Sequence, residues 1–183
     1  MILGLDVSTS TIGWAVISEG VLVDAGFISL KKSKTLIAKA QLAKESLKLI
    51  FQSYQINHVY IEECFQRFAR GMSSAATITK LASFNGIIQY ITYEISKSEP
   101  MLLNVNKARK SLHIKTVTQK KCGISIKDQV FKWVSGDIKY SWPTKILKSG
   151  PRKGQEINLD ECYDIADAYV IAKAGFVHLN LSE

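Results

Sequence analysis

The sequence predicts one α/β domain in which helices cover both faces of a mixed five-stranded sheet. Three β-rich segments come first, and helical and β-rich segments alternate after them. This order fits a sheet that contains both antiparallel and parallel strands. The length of 183 residues suits a single domain, and 46% hydrophobic residues suffice for its core. We therefore assign residues 1–183 to one domain.

The spacing of apolar residues indicates each element in turn. Strands at residues 2–6, 11–18 and 21–30 are predicted to form the antiparallel first part of the sheet, with a turn signal at Glu19 and Gly20. Helical spacing and short β-rich runs then predict the other elements. These are a helix over 34–54, a strand over 57–62, a helix over 73–96, a strand over 101–105, helices over 107–113 and 125–135, a loop over 137–155, and a final helix over 159–177.

Positive charge is concentrated between residues 101 and 155. The formal net charge is +8, and this segment holds thirteen of the 24 Lys and Arg residues but only two of the 16 acids. Clustered like charges repel unless a polyanion neutralises them, so the segment favours nucleic-acid binding. The alternative is a solvated lysine-rich surface without a binding role. The thirteen basic residues are Lys107, Arg109, Lys110, Lys115, Lys120, Lys121, Lys127, Lys132, Lys139, Lys145, Lys148, Arg152 and Lys153.

Cysteine and histidine spacing argues against a zinc site. The three cysteines form no CxxC pair, and the three histidines form no HxxxH pair. Any metal ion would therefore be held by carboxylates, which suit magnesium or manganese. No run approaches the roughly 20 apolar residues of a membrane helix, and the N-terminus does not read as a signal peptide. We expect a soluble, cytoplasmic protein.

Four acids stand at positions where a negative charge lowers the stability of the fold unless it binds a partner. Asp6 and Glu62 each end an apolar strand, at the sheet edge where ligands bind in open α/β folds. Asp164 and Asp167 are three residues apart, so they share one face of the last helix. A cation between the two pairs would relieve their repulsion. The alternatives are that Asp6 is a turn residue and that Asp164 and Asp167 are solvated, while Asp160 is expected to cap the last helix.

Three segments resemble the motifs of RuvC-type nucleases. Residues 2–17 read ILGLDVSTSTIGWAVI, which is a strand, an Asp, a small-residue turn and a second strand. Residues 59–65 read VYIEECF, and residues 163–172 read YDIADAYVIA. The three motifs occur in the family's order and at its spacing over nearly the whole chain. The resemblance implies an RNase H-like domain of the Holliday-junction resolvase type.

The resemblance also implies a catalytic site. Asp6, Glu62, Asp164 and Asp167 would be a tetrad that holds two Mg²⁺ ions, for which Mn²⁺ would substitute, in phosphodiester hydrolysis. Lys127 resembles a lysine near the scissile phosphate. Phe65 matches an aromatic residue that stacks on unpaired bases. The DNA-binding residues predicted in this way are Phe65, Arg67, Arg70, Lys107, Arg109, Lys110, Lys120 and Lys121.

The partners that the resemblance implies are branched DNA and a second copy of the chain. A homodimer would cut two strands of a four-way junction symmetrically. The apolar stripe Thr77, Leu81, Phe84 and Ile88 would supply the dimer surface, and the alternative is that it packs on its own sheet. The stretch 115–123 differs from bacterial members, which points to a phage-type protein acting in the cytoplasm of a bacterial host.

Two other functions are open at this point. An actin-like or sugar-kinase-like ATPase fragment also has a strand, an Asp and a small-residue turn in its first phosphate motif, but that fold needs two such domains. The second alternative is a protein that binds branched DNA without cutting it. The complete set of four acids argues against that alternative.

Overall fold

A mixed five-stranded sheet forms the centre of the protein, and the computed structural model describes residues 1–64 and 75–181. The strands are β1 (Ile2–Val7), β2 (Thr11–Ser18), β3 (Val21–Ser29), β4 (His58–Glu62) and β5 (Met101–Leu103). Their spatial order is β3-β2-β1-β4-β5. The first three are antiparallel to one another, whereas β4 and β5 run parallel to β1. The predicted sheet is confirmed.

Helices cover both faces of the sheet, as predicted. They are α1 (Leu36–Ser53), α2 (Ala75–Ser96), α3 (Val105–Ser111), α4 (Gln119–Cys122), α5 (Ile126–Asp137) and α6 (Glu161–Asn180). Helices α1 and α2 pack on one face, and α3, α5 and α6 pack on the other. No helix in the described ranges is long and apolar enough to cross a membrane.

Strand periodicity decides which residues meet which helices. Side chains alternate between the two faces of a strand. Leu3, Leu5, Val59 and Ile61, the odd-numbered apolar residues of β1 and β4, are buried in the core with α1 and α2. The even-numbered positions of both strands therefore face α6.

The apolar stripe of α2 packs largely on its own sheet. Phe84, Ile88 and Ile91 are fully or nearly fully buried in the core beneath α1 and α2. Thr77, at the start of the same stripe, is exposed. Phe84 and Ile88 are therefore not available as a dimer surface, which corrects that part of the prediction.

A second, two-stranded sheet lies within residues 137–155 and just beyond them, where the sequence predicted only a loop. Strands β6 (Thr144–Ile146) and β7 (Glu156–Asn158) pair antiparallel, with Lys145 opposite Ile157. The loop prediction is therefore wrong for β6, whereas β7 begins just beyond the predicted loop, where the sequence predicted no element. Each strand has three residues, mostly exposed, so neither shows the alternating burial that marks a strand in sequence. The four-residue helix α4 was also not predicted.

Candidate active site

Strand register brings Asp6 and Glu62 together. In the parallel pair of β1 and β4, Leu5 lies opposite Ile61, so the next residues along, Asp6 and Glu62, are neighbours. Both are even-numbered residues of these strands and face α6. Each carboxyl group shifts the pKa of the other. This places the two acids of the first two motifs at one point on the sheet edge.

Two glycines let α6 lie directly on the sheet and bring its acids to the same edge. A Cβ atom at Gly13, which pairs with Asp6, would lie 2.0 Å from the carbonyl oxygen of Asp164. A Cβ atom at Gly4 would lie 2.3 Å from the carbonyl oxygen of Ala168. Only a strand surface without side chains at these positions allows such an approach. Asp164 therefore sits over the end of β1, and Asp167 follows one turn later.

Burial and mutual repulsion weaken the acidity of Asp6 and Glu62. Burial raises the pKa of Asp6 well above its ordinary value, and the charges of Glu62, Asp167 and Asp164 raise it further. Burial and the charge of Asp167 raise the pKa of Glu62 to about 7, against the lowering effect of Asp6, Arg109 and Lys127. Such crowding of buried acids favours binding of a cation, which would offset their repulsion.

Two cations face the carboxylates. Burial raises the pKa of Asp164 and of Asp167, while the charge of Lys127 opposes both shifts. Lys127, at the start of α5, also lowers the pKa of Glu62, so its charge acts on three of the four acids. Lys127 is thus within electrostatic range of these acids, and its role at the scissile phosphate stays a prediction.

Arg109 is the second cation, and the structure places it against the acids. Its Nη2 atom donates a hydrogen bond to Oδ1 of Asp167 at 3.2 Å, and the side chains are 16% and 13% exposed. Its Nε atom is buried and has no hydrogen-bond partner among the described residues. The sequence assigned Arg109 to the DNA-binding surface and did not indicate this ion pair. Its position four residues after the buried Val105 on α3 was the available signal.

A hydrogen-bonded link joins α5 to α6 beside the acids. The hydroxyl of Tyr163 donates to Oδ1 of Asp128 at 2.5 Å, and the hydroxyl of Ser125 donates to Oδ2 at 2.6 Å. The carboxylate of Asp128 raises the pKa of Tyr163 to about 12. Asp128 follows Lys127, and Tyr163 precedes Asp164. The link therefore fixes the segment that carries the lysine relative to the helix that carries the acids, and sequence reasoning missed it.

The other predicted DNA-binding lysines, Lys107, Lys110, Lys120 and Lys121, are exposed. Among the thirteen basic residues of segment 101–155, all except Arg109 are exposed. Phe65, Arg67 and Arg70 lie outside the described residues.

Two acids at the start of α6 have other contacts. Glu161 pairs with Lys31 at 2.5 Å, and Asp160 precedes the helix without a side-chain cap bond. Asp160 thus stands at the predicted N-cap position but does not make the capping contact.

The donor set fits a hard divalent cation by its chemistry. Asp6, Glu62, Asp164 and Asp167 offer carboxylate oxygens, which magnesium and manganese prefer. Their raised pKa values reflect burial together with mutual repulsion, which a cation would relieve. Within residues 1–64 and 75–181, however, no three His, Cys, Asp or Glu side chains form a ready-made metal-binding group. In the described arrangement, Arg109 supplies the positive charge nearest to Asp167.

Sequence comparison finds relatives over half of the chain. No protein-family model matches the sequence. The crossover junction endodeoxyribonuclease RuvC of Aliarcobacter butzleri is 36% identical over 93 residues, which cover 48% of this chain and 55% of the relative. RuvC of Nitratiruptor sp. is 29% identical over 91 residues, which cover 48% of this chain and 54% of the relative. The match thus spans about half the length of these curated relatives.

Structure comparison covers nearly the whole chain. A structure of Thermus thermophilus RuvC in complex with Holliday junction substrate matches with a TM-score of 0.67 and 14% identity, over 98% of this chain and 95% of that one. A second Thermus thermophilus RuvC structure matches with a TM-score of 0.62 and 15% identity, over 99% and 96% of the two chains. The resemblance inferred from the three motifs is confirmed: the chain is similar in sequence to RuvC crossover junction endonucleases over about half its length and has the RNase H-like fold of RuvC.

Proposed function

We propose that this protein is a metal-dependent endonuclease that cuts Holliday junctions and other branched DNA. The proposal is supported by the convergence of β1, β4 and α6, which aligns Asp6 with Glu62, brings the backbone of Asp164 over the strand end and pairs Asp167 with Arg109. The similarity to proteins named crossover junction endodeoxyribonucleases supports the same activity.

Asp6, Glu62, Asp164 and Asp167 would hold the metal, as two Mg²⁺ ions or as Mn²⁺ in their place. When bound, divalent cations of this kind supply an activated water and stabilise the leaving oxygen in phosphodiester hydrolysis. The carboxylates themselves position the ions and repel phosphate when no ion is present. Phosphate would therefore enter the site productively only together with the metal.

Lys127 would neutralise charge on the scissile phosphate. It is exposed, its charge lowers the pKa of three of the four acids, and no described residue forms a salt bridge with it. Arg109 is held by Asp167 and balances that carboxylate. Lys127 would contact the substrate, whereas Arg109 would offset the negative charge of the buried acids in the folded protein.

The exposed cations would hold the arms of the junction by their phosphates. Lys107, Lys110, Lys120 and Lys121 are all exposed and belong to the basic segment. Such contacts give affinity without reading bases. Phe65, with Arg67 and Arg70 near it in sequence, stays a prediction as the residue that stacks on an unpaired base. A homodimer would place two sites on the two-fold symmetric junction.

The proposal is tested with a labelled four-way junction, its linear duplex as control, and the protein with and without magnesium. We expect paired nicks near the crossover that need Mg²⁺ or Mn²⁺ and stop with EDTA, and no cutting of the linear duplex. Tight junction binding without cutting in either metal would instead favour a non-cleaving branched-DNA-binding protein. ATP hydrolysis without DNA cutting would favour the ATPase alternative.

Tyr163→Phe tests whether the α5–α6 link positions Lys127. We expect the cleavage rate to fall by about tenfold with junction affinity unchanged, because a misplacement of 1 Å near reacting atoms can cost about 100-fold. In a Lys127→Ala background, the same substitution should have little further effect. The measurement is the single-turnover cleavage rate of the four proteins of this double-mutant cycle.

The matched control is Tyr54→Phe, which also removes a hydroxyl that donates to an aspartate carboxylate, that of Asp24, in the core with α1 and α2 on the other face of the sheet. Equal losses for the two variants would mean that the Tyr163 hydroxyl serves stability alone. Additive effects of Tyr163→Phe and Lys127→Ala would likewise show that the link does not act through Lys127.

A further inference from the structure

We propose that residues 144–158, termed here the basic hairpin, bind the phosphate backbone of the duplex arm next to the cleavage point. This inference rests on the proposed function and adds a DNA-contacting element to it. The hairpin consists of β6, β7 and the turn between them. The sequence pattern predicted a loop over residues 137–155 and no ordered element there.

The basic hairpin presents positive charge that the protein does not neutralise. It carries four cations, Lys145, Lys148, Arg152 and Lys153, all exposed. Among the described residues, only Lys145 of these four forms a salt bridge, with the exposed Asp160 at 3.6 Å. The one acid of the hairpin, Glu156, accepts a hydrogen bond from Thr144. Its turn therefore offers three cations and no acid to a partner.

Backbone hydrogen bonds make the hairpin an ordered projection. Beyond the paired strands, the amide of Leu147 donates to Gln155 at 3.0 Å, and the amide of Gly154 donates to Leu147 at 2.8 Å. Gly150 and Gly154 have φ angles of +81° and +87°, which glycine adopts without strain. The three cations of the turn thus stand on a defined support. A two-stranded ribbon is also narrow enough to approach a groove of DNA that is about 12 Å wide.

The base of the hairpin is fixed beside the carboxylates. The amide of Leu159 and the thiol of Cys162 both donate to the carbonyl oxygen of Pro143, at 2.9 and 3.3 Å. Helix α6 begins at Glu161, and Asp164 follows three residues later, which is about 4.5 Å along a helix axis. DNA with its scissile phosphate at Asp164 would therefore pass close to the hairpin, and a polyanion is the partner that the hairpin's charge fits.

The test compares the wild-type protein with a variant in which Lys148, Arg152 and Lys153 are all changed to Gln. Binding to a four-way junction is measured in EDTA at several salt concentrations, so that no cutting occurs. Log affinity falls as log salt rises, and each lost phosphate contact lowers the magnitude of this slope by about 0.9. We expect the magnitude of the salt slope to fall by about 2 to 3. In a footprint of the bound junction, we expect the DNA backbone beside the cleavage point to lose its protection.

The matched control changes Lys48, Lys80 and Lys97 to Gln, three exposed lysines on or next to α1 and α2, across the sheet from the hairpin. An unchanged slope for the hairpin variant, or an equal fall for the control, overturns the inference. The three single substitutions, each expected to lower the slope by about 0.9, replace the triple variant if it does not fold. Failure of the wild-type protein to bind or cut junctions would contradict the proposed function itself.

Discussion

Replacement of Asp6 by Asn should abolish junction cleavage while leaving junction binding intact or tighter. Asp6 lies at the centre of the acids, since the charges of Glu62, Asp164 and Asp167 all raise its pKa. Removing one carboxylate weakens metal binding but also reduces repulsion of phosphate. Changes to residues that merely support a metal ligand cost about 10–100-fold, so loss of a ligand should cost more than about 100-fold. The measurement is the single-turnover rate with Mg²⁺ beside the junction affinity in EDTA.

The same result is expected for Glu62→Gln, Asp164→Asn and Asp167→Asn. Glu63→Gln is the matched control, because Glu63 is adjacent in sequence but exposed, with its carboxylate accepting a hydrogen bond from Asn104 at 3.3 Å. The control should cut at the wild-type rate. If all four acid variants cleave as fast as the wild-type protein with magnesium, the active site lies elsewhere.

Thermal stability separates a lost ligand from a damaged fold. Without metal, burial and like charges oppose ionisation of Asp6, so Asp6→Asn should melt at or above the wild-type temperature in EDTA. Magnesium should raise the melting temperature of the wild-type protein, because a ligand that binds only the folded state stabilises it. Magnesium should raise the melting temperature of the Asp6→Asn variant by a smaller amount. A variant that melts lower than wild type in EDTA would show that Asp6 serves the fold.

The sheet, the positions of the acids and the helices on both faces could be predicted because each depends on a local pattern. Alternation along β1 and β4 fixes which face each residue meets, and an acid at the end of an apolar strand stands out in sequence. Parallel pairing of the two strands then suffices to bring Asp6 beside Glu62. The three-residue spacing of Asp164 and Asp167 is likewise a property of one helix.

The contacts that complete the site join residues far apart in the chain, and no local pattern encodes them. Arg109 and Asp167 are 58 positions apart, and Asp128 and Tyr163 are 35 apart. Arg109 and Asp128, taken alone, each read as a surface residue in the sequence. The basic hairpin was missed for another reason, because its strands are too short and too exposed to show a period.

Replacement of Gly13 by Ala should destabilise the protein and slow cleavage together. The new methyl group would meet backbone atoms, at 2.0 Å from the carbonyl oxygen of Asp164, 2.3 Å from its carbonyl carbon and 2.9 Å from the amide nitrogen of Ile165. Backbone cannot rotate aside as a side chain can, so α6 must move away from β2. Overpacking costs about 1–3 kcal/mol, and we expect the upper end of that range. A shift of 1 Å in Asp164 would reduce the cleavage rate by about 100-fold.

Gly136→Ala is the matched control, because the chemical change is identical but the added methyl group would have room. Gly136 lies near the end of α5, and a Cβ atom there would have nothing within 4 Å. Alanine is favoured over glycine in helices by about 1 kcal/mol, so this variant should be as stable as wild type or more so and should cut normally. The measurements are the free energy of unfolding in urea and the cleavage rate at a temperature where both variants are folded. A Gly13→Ala protein that keeps wild-type stability and rate would show that α6 does not need the bare strand surface to bring Asp164 to Asp6.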